Sequence, residues 1–165
     1  MELYIRQKVF SWGDRFSVKD AEGRDLYIVE GEVFTLGKKL HVYDLMDREL
    51  AYIEQKLFSF LPRYRVYIGA EETAEIVKEF TLFSPRYRAE GLDWEIEGDF
   101  FSHEYEIRCG DTFIAAISKE WMTWGDSYAL HIADDADELT ALAVVLAIDA
   151  ATDNSGGVSV TFSAN

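Results

Sequence analysis

Two stretches of the chain carry the same cation pattern, Pro62-Arg63-Tyr64-Arg65 and Pro85-Arg86-Tyr87-Arg88. Alternate residues of a strand share a face, so Arg63 and Arg65 project together, and so do Arg86 and Arg88. A guanidinium offers a planar fork of donors that suits phosphate or carboxylate. If the two segments lie side by side, four forks converge on an anionic small molecule or a lipid headgroup. The competing reading places a proline at each strand start and pairs the arginines with surface acids such as Glu71, Glu72 and Glu75. On an anionic membrane the four would supply about 1 kcal/mol each, about 4 kcal/mol in all.

Other reactive side chains form weaker patterns. Glu97 and Asp99 flank Gly98 and are the best local pair for acid/base work, although alternation around a glycine bulge explains them equally well. His41, His103 and His131 show no metal-ligand spacing, and the acids after Lys119 lack an Asp-x-Asp-x-Asp-Gly loop, so no metal and no cofactor is expected. The sequence contains no Gly-x-Ser-x-Gly, Gly-x-Gly-x-x-Gly or Walker pattern. Cys109, the one cysteine, excludes an internal disulfide framework and reads as a small half-buried residue at a strand end. Trp12-Gly13-Asp14 and Trp124-Gly125-Asp126 combine an indole with a tight turn, which packs a corner or stacks a ligand.

The elements that must hold these residues are strands. Apolar and polar residues alternate in short runs over 15–19, 25–33, 39–43, 50–57, 64–68, 73–82, 87–89, 93–97, 104–108, 112–119 and 128–132, with turn residues between them. Such spacing points to an antiparallel sandwich or barrel. A repeat of 23 residues aligns Ala51–Arg65 on Ala74–Arg88 with seven identities, which marks successive strand-and-corner units of one meander.

One segment breaks the pattern. Leu139 to Ala151 is apolar almost all round, as only an enclosed helix can be, and at about 1.5 Å per residue it is too short for a bilayer of about 30 Å. Asp135 and Glu138 predict a capped start near Ala136, and Asp153-Asn154-Ser155-Gly156-Gly157 predicts the stop. The run Val158 to Phe162 then forms an added strand or a loose tail.

At 165 residues with 48% hydrophobic content, the chain has material for one core, and no linker divides it. We expect a single domain over 1–153 and a tail over 154–165. The net charge of -15 opposes nucleic acid and anionic membranes as non-specific partners. The N-terminus shows no signal-peptide pattern, so a cytoplasmic location is expected.

Several separated motifs, taken in order, resemble the LURP-one-related family of the tubby C-terminal-like superfamily over about Met1 to Asp153. They are Lys8-Val-Phe-Ser-Trp12-Gly13-Asp14-Arg-Phe16, Val18-Lys-Asp20, Gly31 with Phe34, Tyr43-Asp44, Ile53 to Lys56, Glu97-Gly98-Asp99-Phe100, Ala116-Ile117-Ser118-Lys119, Trp124-Gly125-Asp126-Ser-Tyr128 and Ala147-Ile148-Asp149. The resemblance implies a mainly β fold, a closed antiparallel barrel of about 12 strands around a hydrophobic C-terminal helix. Tubby domains bind phosphoinositides through basic residues, but that motif does not match here, so no functional residue is carried over.

The resulting expectation is a non-enzymatic binding or scaffolding module that recognises an anionic ligand or phospholipid headgroup on its outer surface, with a protein partner left open. Two alternatives stand beside it. One is an enzyme using surface carboxylates such as Glu97 and Asp99 in a groove. The other is a structural homo-oligomer paired through 158–162.

Overall fold

The structure is a computed structural model and describes residues 1–6, 15–32, 36–122 and 125–153. Its strands are β1 (Glu2–Arg6), β2 (Arg15–Lys19), β3 (Asp25–Gly31), β4 (Lys39–Tyr43), β5 (Glu49–Gln55) and β6 (Arg63–Ile68), continuing with β7 (Glu71–Glu79), β8 (Arg86–Glu90), β9 (Trp94–Asp99), β10 (Glu104–Cys109), β11 (Thr112–Met122) and β12 (Gly125–Ile132). Each pairs antiparallel with its sequence neighbours, and β1 pairs with both β2 and β12 to close the barrel. The alternation that predicts eleven strands misses β1, whose Leu3 and Ile5 point into the core and whose pairing removes both sheet edges.

The helix α1 (Glu138–Asp153) fills the lumen. From Ala141 to Ile148 every residue is fully buried, against inward residues such as Leu3, Ile53, Ile76, Ile96 and Leu130. A helix polar on any face could not sit there. Its start differs from the Asp135 cap and the Ala136 start expected from sequence. Asp137 is the cap, its Oδ1 accepting the Thr140 amide at 2.7 Å, and the helix begins one residue later.

Strand direction divides the connections between two rims. One rim carries 20–24, 44–48, 69–70, 91–93, 110–111 and the approach to the helix at 133–137. Four of its hairpins contain a register shift beside the turn, the bulge that tight connections of a twisted sheet use. Asp20 and Asp44 close two of these turns identically, each accepting two backbone amides and the Nε of the arginine four residues on, Arg24 or Arg48. The other rim carries the long connections 56–62 and 80–85 and the short one 100–103, together with the C-terminal end of α1.

Gly98 is not a bulge. Its pairing with Tyr105 is in continuous register. A Cβ on Gly98 would lie 2.4 Å from the Glu104 carbonyl oxygen, and its φ is +144°, so glycine is required by the close approach of β9 and β10.

Candidate functional site

The 23-residue repeat corresponds to a shift of two strands, β5 onto β7 and β6 onto β8. The two Pro-Arg-Tyr-Arg segments are therefore not adjacent, because β7 lies between them. At nearly 5 Å per strand they are about 10 Å apart. All four arginines are on the outer wall, and each meets a carboxylate of a neighbouring strand. Arg63 bonds Glu75 at 3.1 Å and Arg65 approaches Glu54 at 3.7 Å. Arg86 is paired with Glu97, and Arg88 lies 3.5 Å from Glu79 and 3.1 Å from Glu90. Glu75 also approaches Lys56 at 3.4 Å. Burial alone would raise its carboxyl, but Arg63 and Lys56 outweigh that and hold it below its usual range.

The tyrosine between each arginine pair points the other way. Tyr64 is fully buried and donates from its hydroxyl to the Ala150 carbonyl at 3.1 Å. Tyr87 packs edge-on against Phe100 at 4.8 Å and meets the Thr152 side chain. Lys38, 6% exposed, donates from Nζ to the same Ala150 carbonyl at 3.0 Å. The last turn of α1 has free carbonyls and the negative end of the helix dipole, so a buried ammonium and a phenol satisfy it.

Beside them, Asp149 on α1 is 5% exposed and accepts the Tyr128 hydroxyl. His103 stacks on Tyr128 at 4.6 Å and brings Nε2 to 3.8 Å from Asp149. The Tyr105 hydroxyl faces the same carboxylate but falls short of hydrogen-bond geometry. Burial, and then the Asp149 charge, push both phenols well up. Burial, reinforced by Lys119, lowers the His103 pKa. Sequence reasoning missed this cluster as a unit. Its one signal is Asp149, an acid inside an otherwise apolar helix.

Three open grooves mark the outer wall, two of them beside the long loops. One of about 550 Å³ is lined by Leu36, Lys39, Glu54, Gln55, Lys56, Leu57 and Arg65. It gathers three cations around one carboxylate, with two leucines at its edge. A second, about 420 Å³, runs along Leu61, Lys78, Glu79 and the 80–85 loop. The third, about 470 Å³, is acidic, with Glu95, Glu97 and Glu106 facing Arg108.

The remaining sequence candidates are dispersed. Glu97 is tied to Arg86, whereas Asp99 accepts the Ser102 amide and hydroxyl, so the two carboxylates are held by different partners. His41 lies between Glu49 and Glu32, and His131 bonds Glu2 and Ser118, on separate parts of the barrel. No grouping of three metal-binding side chains occurs among the described residues. Cys109 is half-buried at the end of β10. Trp12-Gly13-Asp14, Trp124 and Val158 to Phe162 lie outside the described residues, as does the side chain of Asp126.

Fold and helix together define a tubby-like barrel, a closed antiparallel cylinder plugged by its own C-terminal helix. Within that class the chain belongs to the LURP-one-related family, whose sequence model matches residues 1–149. It is 38% identical over 149 residues to the uncharacterised protein YxjI of Bacillus subtilis (strain 168), an alignment covering 90% of this chain and 92% of that one. A crystal structure of an Arabidopsis thaliana protein shares the fold at a TM-score of 0.65, with 14% identity over 94% of this chain and 90% of that one.

Proposed function

We propose that the protein is a non-enzymatic binding module that takes an anionic group on its outer wall, in the groove formed by Lys39, Lys56 and Arg65. The observation carrying this reading is that convergence of three cations beside a lumen already filled by α1. With the interior occupied, a ligand has only the wall and the rims to bind.

The existing ion pairs do not close the groove. Lys39 approaches Glu32 only to 3.8 Å, and Arg65 approaches Glu54 to 3.7 Å. Exposed pairs of this kind contribute about 0–1 kcal/mol each, so a multivalent phosphate competes with single carboxylates for the same donors. Arg63 borders the groove through its link to Glu75 and Lys56. Arg86 and Arg88 face the next strands and belong to a separate part of the wall.

The test is a titration with inorganic pyrophosphate followed by amide and arginine side-chain NMR. Saturable shifts at Lys39, Lys56 and Arg65, lost in the triple substitution Lys39→Gln, Lys56→Gln, Arg65→Gln, support the site. No saturable shift, or shifts unaffected by those substitutions, would exclude it.

A further inference from the structure

The long-loop rim is apolar to an unusual degree. Phe58, Phe60, Leu82 and Phe83 are at least 93% exposed, and Phe80 is 79% exposed. They belong to two neighbouring connections, 56–62 and 80–85, and Phe60 and Phe80 approach ring to ring at 6.5 Å. Scattered exposed apolar residues need no explanation, but a contiguous group of large ones marks an interaction surface. Phe58 adds a second sign. Its φ is +61°, a conformation an aromatic residue rarely adopts, and it sits at the loop tip with its ring wholly in solvent.

Charge identifies the kind of partner. Residues 56–65 and 78–88 hold six of the sixteen basic residues and one of the thirty-one acids. Loops 56–62, 80–85 and 100–103 contain no carboxylate. At the opposite rim the connections 20–24, 44–48, 91–93, 110–111 and 133–137 carry nine carboxylates against two arginines. A chain that is acidic overall is thus polarised along its barrel axis: at the apolar end the cations are matched by carboxylates of neighbouring strands such as Glu54, Glu75, Glu79 and Glu97, whereas the opposite rim is strongly acidic. Aromatic tips above the Lys and Arg side chains of Lys56, β6 and β8 match a bilayer interface, where apolar rings enter the acyl boundary and cations remain at headgroup level. The acidic rim is repelled by the same surface and orients the molecule.

We propose that the 56–62 and 80–85 loops dock the barrel end-on to an anionic lipid surface, with Phe58, Phe60, Leu82 and Phe83 inserted and the basic groove at headgroup depth. The inference rests on the anion groove described above, which opens beside these loops through Lys56 and Leu57.

Flotation of the full chain with vesicles of phosphatidylcholine, with and without phosphatidylglycerol, tests it. The wild type should float with the anionic vesicles, and Phe58→Ser, Phe60→Ser, Phe83→Ser together should weaken binding at least about tenfold while leaving the melting curve unchanged. In Phe58→Trp, brominated acyl chains should quench the added fluorescence. Flotation unaffected by the triple substitution would overturn the proposal, and so would an unquenched Trp. Failure to float would overturn it as well. Pyrophosphate shifts in that same protein would then leave the anion groove standing alone, and a dimer dissolved by the triple substitution would identify a second copy of the chain as the true occupant of the rim.

Discussion

Tyr128→Phe removes one oxygen atom and interrogates the attachment of α1 to the barrel. The hydroxyl donates to Asp149, which is 5% exposed, so water cannot readily replace it. A hydrogen bond to a charged acceptor is worth about 1.5–3 kcal/mol, and depriving a buried charge of its partner costs up to about 5 kcal/mol. His103, at 3.8 Å and with its pKa lowered by burial, offers neither a hydrogen bond nor a charge at neutral pH and offsets little of the loss. We expect a destabilisation of about 2–3 kcal/mol, which for a domain of this size lowers Tm by about 4–12 °C. Urea unfolding should give the same difference with an unchanged slope. The discriminating measurement is a double-mutant cycle with Asp149→Asn, whose neutral amide makes the phenol less important. The Tyr128→Phe loss should shrink by about 1 kcal/mol in that background. Equal losses in both backgrounds, or a single-mutant effect within 0.5 kcal/mol of zero, would refute the charge-assisted bond as what holds the end of the helix.

Three further outcomes follow from the same structure. Gly98→Ala should destabilise by about 3 kcal/mol or more, since its Cβ would meet the Glu104 carbonyl at 2.4 Å and its φ of +144° suits only glycine; a calorimetric Tm equal to wild type would show that β9 and β10 can separate there. Leu146→Ala should cost about 2–5 kcal/mol by chemical denaturation because Leu146 is fully buried in the lumen, and a cost under 1 kcal/mol would mean that the barrel collapses around the helix or was never full. His103 binds its proton less readily folded than unfolded, where its ordinary value is 6.5, so stability should be complete above that pH and fall as pH drops below it. His103→Gln should flatten that slope, and an NMR titration placing the His103 pKa above 6.5 would show that Asp149 rather than burial governs the ring.

Much of the wall was legible because strand alternation is a local signal. All eleven runs read from sequence begin or end within about two residues of an observed strand, since residues such as Tyr64, Val66, Ala89 and Ile107 alternate with charged neighbours. β1 escaped because five residues at a terminus give too short a run, and only its pairing with both β2 and β12 reveals its role. The helix start slipped because Asp135 and Asp137 are chemically equivalent as caps until the backbone chooses between them. For the site, sequence identified the four arginines, but convergence depended on strand order. Placing β7 between β6 and β8 separates them and puts Lys39, drawn from β4, beside Arg65 instead.

The amino-acid order alone determined that this chain builds a sheet with an apolar helix inside it, because periodicity and all-round hydrophobicity are properties of neighbouring residues. It also determined that two copies of one cationic segment exist. Tertiary structure decided what those facts mean: which strands are neighbours, which carboxylate each arginine meets, and that the acids gather at one rim while the exposed phenylalanines and their basic flank gather at the other. Closure of a barrel brings together residues far apart in sequence, and no local pattern encodes that distance.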